Sequence, residues 1–162
     1  MPPADLLPPP LPRMVRVTEP GVYVVEYGAD QRLAAQVRRW VWAASRMSRE
    51  QADSLIEVTH ELYVNALKHT VSGIPGGWTR LTLTHSPTVV RIEVTDQGPL
   101  DKAGRVRMAD GAEEAGNGLR LVDALSCEWG VAGGVDGHTV WAHLPRPRRR
   151  SERARVMFQA AS

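Results

Sequence analysis

Residues Thr59–Thr70 read THELYVNALKHT, and within them Glu61, Asn65 and His69 recur every four positions. Residues at i, i+4 and i+8 share one face of an α-helix, and at 1.5 Å rise per residue these three span roughly 12 Å. Upstream, Ala52, Leu55, Ile56, Thr59, Leu62 and Ala66 keep the three-and-four spacing of a buried stripe. Ser48 followed by Gln51 forms a capping box, in which each side chain satisfies a backbone N–H left free at a helix start. A helix from Ser48 to about His69 is therefore predicted. The polar row runs beside the apolar stripe. Taken alone, it reads first as the solvated side of an amphipathic helix, and only second as a ligand-binding row of carboxylate, carboxamide and imidazole.

Working outward, GVYVVEY (Gly21–Tyr27) is rich in β-branched and aromatic residues and reads as a strand. Asp30 caps a first helix running to about Met47. After the central helix come WTRLTLTHS and TVVRIEVTD, joined by a short turn at Ser86 and Pro87. In the second, Val90, Ile92 and Val94 alternate with Arg91, Glu93 and Thr95, the period of a sheet with one wetter face, and an antiparallel hairpin is the economical pairing. A long stretch from Gln97 to Gly118 lacks apolar periodicity and reads as a loop, a length that in compact domains marks function or disorder. GLRLVDALS then reads as a helix, and CEWGVAGG and HTVWAHLP as two final strands. The order predicts an α+β fold: a two-layer sandwich of a mixed, mostly antiparallel sheet with helices packed on one face.

The 162 residues, 43% of them hydrophobic, suffice for one domain with a proper core. The organisation reads as a Pro-rich, disordered leader at 1–14, a body at 15–145, and an Arg-rich, disordered tail at 146–162. The tail sets Arg146, Arg148, Arg149, Arg150, Arg153 and Arg155 against Glu152, a net +5, which leaves the rest of a chain of total charge +2 at −3. Basic character thus belongs to the tail, and a nucleic-acid-binding face on the body has no compositional support. The tail itself reads as a solvated extension or as an accessory contact for an acidic partner. The single cysteine, Cys127, forms no internal disulfide, as suits a reducing compartment. No window approaches a membrane span of about 18 apolar residues, and the leader MPPADLLPPPLPR has too many prolines for a secretory apolar core. A cytoplasmic location is expected, with no membrane contact.

Two segments decide what the polar row is for. TDQGP puts Asp96 at a strand end before a sharp turn at Gly98, where a carboxylate can accept from an exocyclic amine. GNGL, at Gly116–Leu119, opens a helix after the long loop, where free backbone N–H groups and the helix dipole suit a phosphate. Each is weak alone. In this order, ELYVNALKHT, VTDQGP, GNGLRLVDALSCEWGV and GHTVWAHLP resemble the N box, Asp-x-Gly box, Gly-x-Gly box and closing strand of the GHKL ATP-binding domains, as found in bacterial histidine kinases and type II topoisomerases. Within that superfamily the chain most resembles the small anti-sigma-factor serine/threonine kinases and their actinobacterial relatives, over about Ala29–Pro145.

The resemblance implies the Bergerat fold, ATP with Mg²⁺ as ligands, and a role for each matching residue. Glu61 is the general base and Asn65 the Mg²⁺ ligand. Asp96 accepts from the adenine amine, with Gly98 allowing close approach. Gly116, Gly118 and Leu119 belong to the phosphate-wrapping turn, and Thr139 bonds near adenine. His69 either joins the site or anchors the helix end through backbone bonds. The loop from Asp101 to Ala115 becomes a lid, with Lys102, Arg105 and Arg107 as candidate phosphate contacts or exposed charges. The implied partners are a sigma factor, an anti-sigma-factor antagonist protein that receives the phosphate, and a second copy in a homodimer, with the first helix (Arg38, Arg39, Arg46) as a candidate partner face. The other functional class is a noncatalytic, ATP-responsive regulatory module with a different protein partner.

Overall fold

The computed structural model describes residues 7–99, 116–134 and 137–147. Within them the chain order is β1 (Arg13–Val15), β2 (Val22–Gly28), α1 (Ala34–Ser45), α2 (Arg49–His69), β3 (Trp78–His85), β4 (Val89–Thr95), α3 (Gly116–Leu125), β5 (Glu128–Gly134) and β6 (Gly137–Pro145). The strands form one six-stranded sheet in the order β1-β2-β3-β4-β6-β5, and every pairing is antiparallel. The α+β sandwich with a mostly antiparallel sheet is as expected, and among the described strands every pairing is antiparallel. None of the described helices is long and apolar enough to cross a membrane.

Strand alternation separates the two faces of the sheet. Val25 and Tyr27 of β2, Leu81 and Leu83 of β3, Val90, Ile92 and Val94 of β4, and Ala142 and Leu144 of β6 are buried in one core with Leu33, Val37, Val41 and Val122. Each fully buried aliphatic side chain of this kind contributes about 1.5–3 kcal/mol. The opposite face carries the alternating polar set, including Arg80, Arg91, Glu93 and His143. There Glu26 accepts from Arg13 Nε at 2.6 Å and from Arg80 NH2 at 2.6 Å. Burial pushes the Glu26 carboxyl up, but the two guanidinium groups outweigh it and hold it below the usual range.

That ion pair explains β1, a strand absent from the sequence reading. Arg13–Val15 lies at the end of the Pro-rich leader and pairs with Glu26, Val25 and Val24, because Arg13 finds a buried carboxylate opposite it. Earlier in the leader, Leu7 accepts a bond from Arg32 NH1 at 2.8 Å. At the other end of the body, Arg146 donates its backbone N–H to Thr88 at 2.8 Å and a guanidinium N–H to Ser86 at 3.0 Å. The rest of the expected tail, from Arg148, lies outside the described residues.

The central helix is α2. Its capping box is formed as read: Gln51 N–H donates to Ser48 Oγ at 3.2 Å, and Ser48 N–H to Gln51 Oε1 at 3.3 Å. Its buried side is wider than the predicted stripe, taking in Val58, Tyr63 and Leu67 as well. The reason is tertiary: α2 is covered by α1 on one side, α3 on another and the sheet beneath. The Asp30 cap serves a single 3-10 turn (Gln31–Leu33) that leads into α1, accepting from Arg32 N–H at 2.8 Å.

At its far end α2 is tied to the turn after β4. Thr70 Oγ1 donates to Ala66 O at 2.6 Å and closes the last helical turn. Val71 N–H donates to Gly98 O at 2.8 Å, Gln97 N–H donates to Ser72 Oγ at 2.9 Å, and Gln97 Oε1 accepts from Trp78 N–H at 2.8 Å. Ser72 is fully buried. A Cβ at Gly73 would lie 1.7 Å from Leu67 O, so the chain leaves the helix by a path open only to glycine. Replacing the buried Ser72 by Ala leaves the half-buried Gln97 N–H without its acceptor and is expected to cost about 1–3 kcal/mol. Urea unfolding with an unchanged m-value measures this, and a loss below about 0.5 kcal/mol, no more than an ordinary surface substitution, would show that the turn is held by other contacts.

Candidate functional site

Three of the sequence-predicted groups belong to α2, which runs unbroken from Arg49 to His69, so Glu61, Asn65 and His69 do share one face. Glu61 and Asn65 are half-buried and His69 is exposed. None of the three side chains has a hydrogen bond or ion pair among the described residues. The helix-anchoring alternative for His69 therefore finds no bond there. Thr70 and the Val71–Gly98 bond close the helix instead.

Asp96 follows β4 and continues its buried alternation, so its side chain points to the helix-bearing side of the sheet, 6% exposed. Its Oδ1 accepts from Gly98 N–H at 2.8 Å and from His138 N–H at 3.1 Å, and its own N–H donates to His138 O at 2.8 Å. Gly98 sits at φ +100°, a conformation that lets its N–H turn back on the carboxylate and that other residues rarely adopt. Oδ2 takes no bond among the described residues. The carboxylate is thus fixed by one oxygen and offers the other as an acceptor. Burial pushes the Asp96 carboxyl above the usual range. The N–H bonds from Gly98 and His138 and the nearby imidazole pull the other way without cancelling it.

Two more residues belong at this end of the sheet, and the sequence reading passed over both. Arg80 is opposite Thr95, so Thr79 is next in register to Asp96, and it is fully buried with its hydroxyl unpartnered. His138, on β6, places its Nδ1 3.8 Å from Asp96 Oδ1. The missed signal is the two-residue period of HTVWAHLP. Ala142 and Leu144 face the core, which puts Val140 and His138 on the same side.

That same period corrects Thr139. Its hydroxyl lies 2.8 Å from that of Thr95, with which it pairs across β4 and β6. Both face away from the helices, on the opposite side of the sheet from Asp96. The group expected near adenine is on the wrong face, and His138 stands beside Asp96 in its place.

Gly116 and Gly118 form the opening turn of α3, and Leu119 is half-buried against the core. The first backbone N–H groups of a helix have no intrahelical acceptor, which makes this turn a place for an anion. Contact between α3 and α2 brings the two helices together. The expected lid, Asp101–Ala115, with Lys102, Arg105 and Arg107, lies outside the described residues.

The assembled elements are a buried carboxylate with one free oxygen, a glycine turn beside it, an unpartnered Glu and Asn on the neighbouring helix, and a glycine-opened helix. A family model described as a histidine kinase-like ATPase domain matches residues 27–144. A search of curated proteins returns no match. The matched span contains every one of these elements, and the chain belongs to the histidine kinase-like ATPase family of the GHKL superfamily.

Proposed function

We propose that the chain is an ATP-dependent protein serine/threonine kinase that also acts as an anti-sigma factor, binding a sigma factor and phosphorylating a small antagonist protein. The observation that carries this reading is the pair Glu61 and Asn65, which stand one helical turn apart on α2 without a bond to any other described residue, on the helix tied by its end to the Asp96 turn.

Each residue present suits its part. The free Oδ2 of Asp96 accepts a hydrogen from the exocyclic amine of adenine, and the Gly116–Gly118 turn offers N–H groups to phosphate. Among the described residues no three His, Cys, Asp or Glu side chains come together as a metal cage. The Asn65 amide oxygen fits a Mg²⁺ held mainly by phosphate and water, the usual habit of that ion. When bound, Mg²⁺ neutralises charge on the phosphates. Glu61 takes the proton of a serine or threonine hydroxyl as its oxygen bonds to the γ-phosphorus and the bond to the β-phosphate oxygen breaks, releasing ADP. The outer face of α1, where Arg38, Arg39 and Arg46 are exposed around a 40% exposed Trp42, is the surface offered to a protein partner or second copy.

Asp96→Asn tests the pocket with little change of shape. Calorimetric titration with ATP and Mg²⁺ should show affinity falling on the order of 10- to 100-fold, the contribution of a hydrogen bond to a charged group. The fold should not suffer. The folded-state pKa of Asp96 is raised, so its ionised form weakens the native state at neutral pH, and that penalty fades as pH falls through the raised value. The variant should therefore match or exceed the wild type in stability at pH 7, with the difference shrinking toward acid. Retained ATP affinity would remove Asp96 from the site.

Glu61→Gln should keep ATP affinity while phosphate transfer to a serine-containing antagonist protein falls about 100- to 10,000-fold. Equal transfer by both proteins would rule out Glu61 as the base. ATP binding with no transfer by the wild type would favour the noncatalytic regulatory module.

A further inference from the structure

The side of α2 turned away from α1, α3 and the sheet carries Glu50, Asp53, Glu57 and Glu61. Spaced three, four and four residues apart, the four carboxylates lie along one face and span roughly 16 Å. Glu50, Asp53 and Glu57 are exposed, and Glu61 is half-buried. Among the described residues only Asp53 has a counterion, Arg49 at 3.8 Å, and an exposed pair of that kind contributes little. Asp53 with Glu57 and Glu57 with Glu61 are like-charge pairs one turn apart, an arrangement that weakens a helix. On the far face of the sheet, by contrast, the carboxylate of Glu26 is held by two arginines.

The matching charge stands elsewhere in the sequence. Arg148, Arg149, Arg150, Arg153 and Arg155 are opposed by Glu152 alone, a net +4 over residues 148–162. Their point of departure from the body is fixed by Arg146, which donates to Thr88 O and Ser86 O in the β3–β4 turn. Beside that turn His85 Nε2 lies 2.8 Å from Ala44 O in the last turn of α1, and α2 begins five residues later at Arg49. The basic stretch thus leaves from the end of the molecule at which the acidic face starts. At about 3.3 Å per extended residue, Arg153 and Arg155 reach roughly 23 and 30 Å from Arg146. That exceeds the helix thickness of about 10–12 Å between the sheet and the outer side of α2. The neighbouring face of α1, with Arg38, Arg39 and Arg46 exposed, repels the same stretch.

We propose that Arg148–Arg155 docks on the outer face of α2 of its own chain, guanidinium groups against Glu50, Asp53 and Glu57, and guards the approach to Glu61. Guanidinium and carboxylate pair through two parallel bonds, and several such pairs act together where one exposed pair does little. A protein that brings a hydroxyl to Glu61 must displace the stretch. ATP, read at Asp96 and at Gly116–Gly118, need not. The docking stands on charge and reach, while its effect on phosphate transfer rests on the reading of Glu61 as the base.

The test uses the full chain with Cys127→Ser and Ala154→Cys, the new thiol carrying a nitroxide, and nitrogen-15 amide spectra. At about 0.05 M salt the amides of residues 50–57 should broaden. The broadening should fade at about 1 M salt, where screening shortens to about 3 Å. Glu50→Gln, Asp53→Asn and Glu57→Gln combined should abolish it at low salt, with circular dichroism checking the fold. A mixture of spin-labelled natural-abundance protein and unlabelled nitrogen-15 protein should show none. Separately, a variant with the five tail arginines changed to Gln should bind ATP as the wild type does and phosphorylate a serine-containing antagonist protein about 3- to 10-fold faster, the release of a few exposed ion pairs.

Amides of α2 that stay sharp, or that broaden only in the mixed sample, would overturn docking within one chain. Equal transfer by wild type and tail variant would overturn the guarding role. ATP binding without transfer by either protein would remove the reading of Glu61 as base and the guarding role with it, while the broadening would still establish the docking.

Discussion

The site's geometry depends on a small tie between segments far apart in sequence. Residues 70–73, just past α2, are bonded to residues 97–98, just past β4. Val71 donates to the Gly98 carbonyl, Gln97 donates to the buried Ser72 hydroxyl, and the Gln97 side chain turns back to accept from Trp78. These bonds satisfy backbone groups that would otherwise be buried without partners where helix and sheet meet. Their second effect is positional. The helix that carries Glu61 and Asn65 is indexed to the turn that carries Asp96, so the row on α2 and the carboxylate at the sheet end are set relative to each other by a few short contacts. Thr70 reinforces this by bonding back to Ala66 and forward to Ser72 N–H at 3.1 Å, closing the helix without a glycine cap.

What could be read from the sequence was what local physics decides. The capping box at Ser48 and Gln51, the period of α2 and the alternation of β4 each depend on residues within a turn or two of one another, and each formed as read. The Asp96–Gly98 turn was legible for the same reason, since an aspartate followed two residues later by glycine describes its own hydrogen bond. Non-local pairings were not legible. Nothing in RMV announces a strand. β1 exists because Arg13 meets Glu26, thirteen residues on, on a strand already paired to β3. The width of the buried side of α2 likewise depends on α1 and α3 packing against it.

The exchange of Thr139 for His138 shows how narrow the margin is. On a strand, one step in register moves every side chain to the other face, and HTVWAHLP carries an imidazole and a small residue on each phase, with Trp141 opposing the aliphatic set. The pairing with β4 settles it. Thr95 faces Thr139, which puts Val140 opposite Val94 and His138 opposite Asp96. A resemblance carries a motif to its strand more readily than to its face.

The two sides of the sheet also handle polar groups in opposite ways. On the side away from the helices, charges are matched: Glu26 holds Arg13 and Arg80, Arg91 lies 3.0 Å from Glu93 and 4.4 Å above the Trp141 ring, and His143 lies 3.5 Å from Glu128. On the helix side the core is mostly apolar. His85, at one end of β3, meets Ala44 O through Nε2 but buries Nδ1 unpartnered, and toward the other end one oxygen of Asp96, the Thr79 hydroxyl and the His138 ring find no partner among the described residues. An unmatched polar group under a helical layer costs native stability, more so a carboxylate kept ionised. A chain selected for stability alone would pair these groups, as it does on the other face, or replace them with aliphatic side chains. The clustering of three of them, Asp96, Thr79 and His138, beside the turn tied to α2 is the pattern of a site whose partners arrive with a ligand, where stability forgone in the free protein is returned on binding.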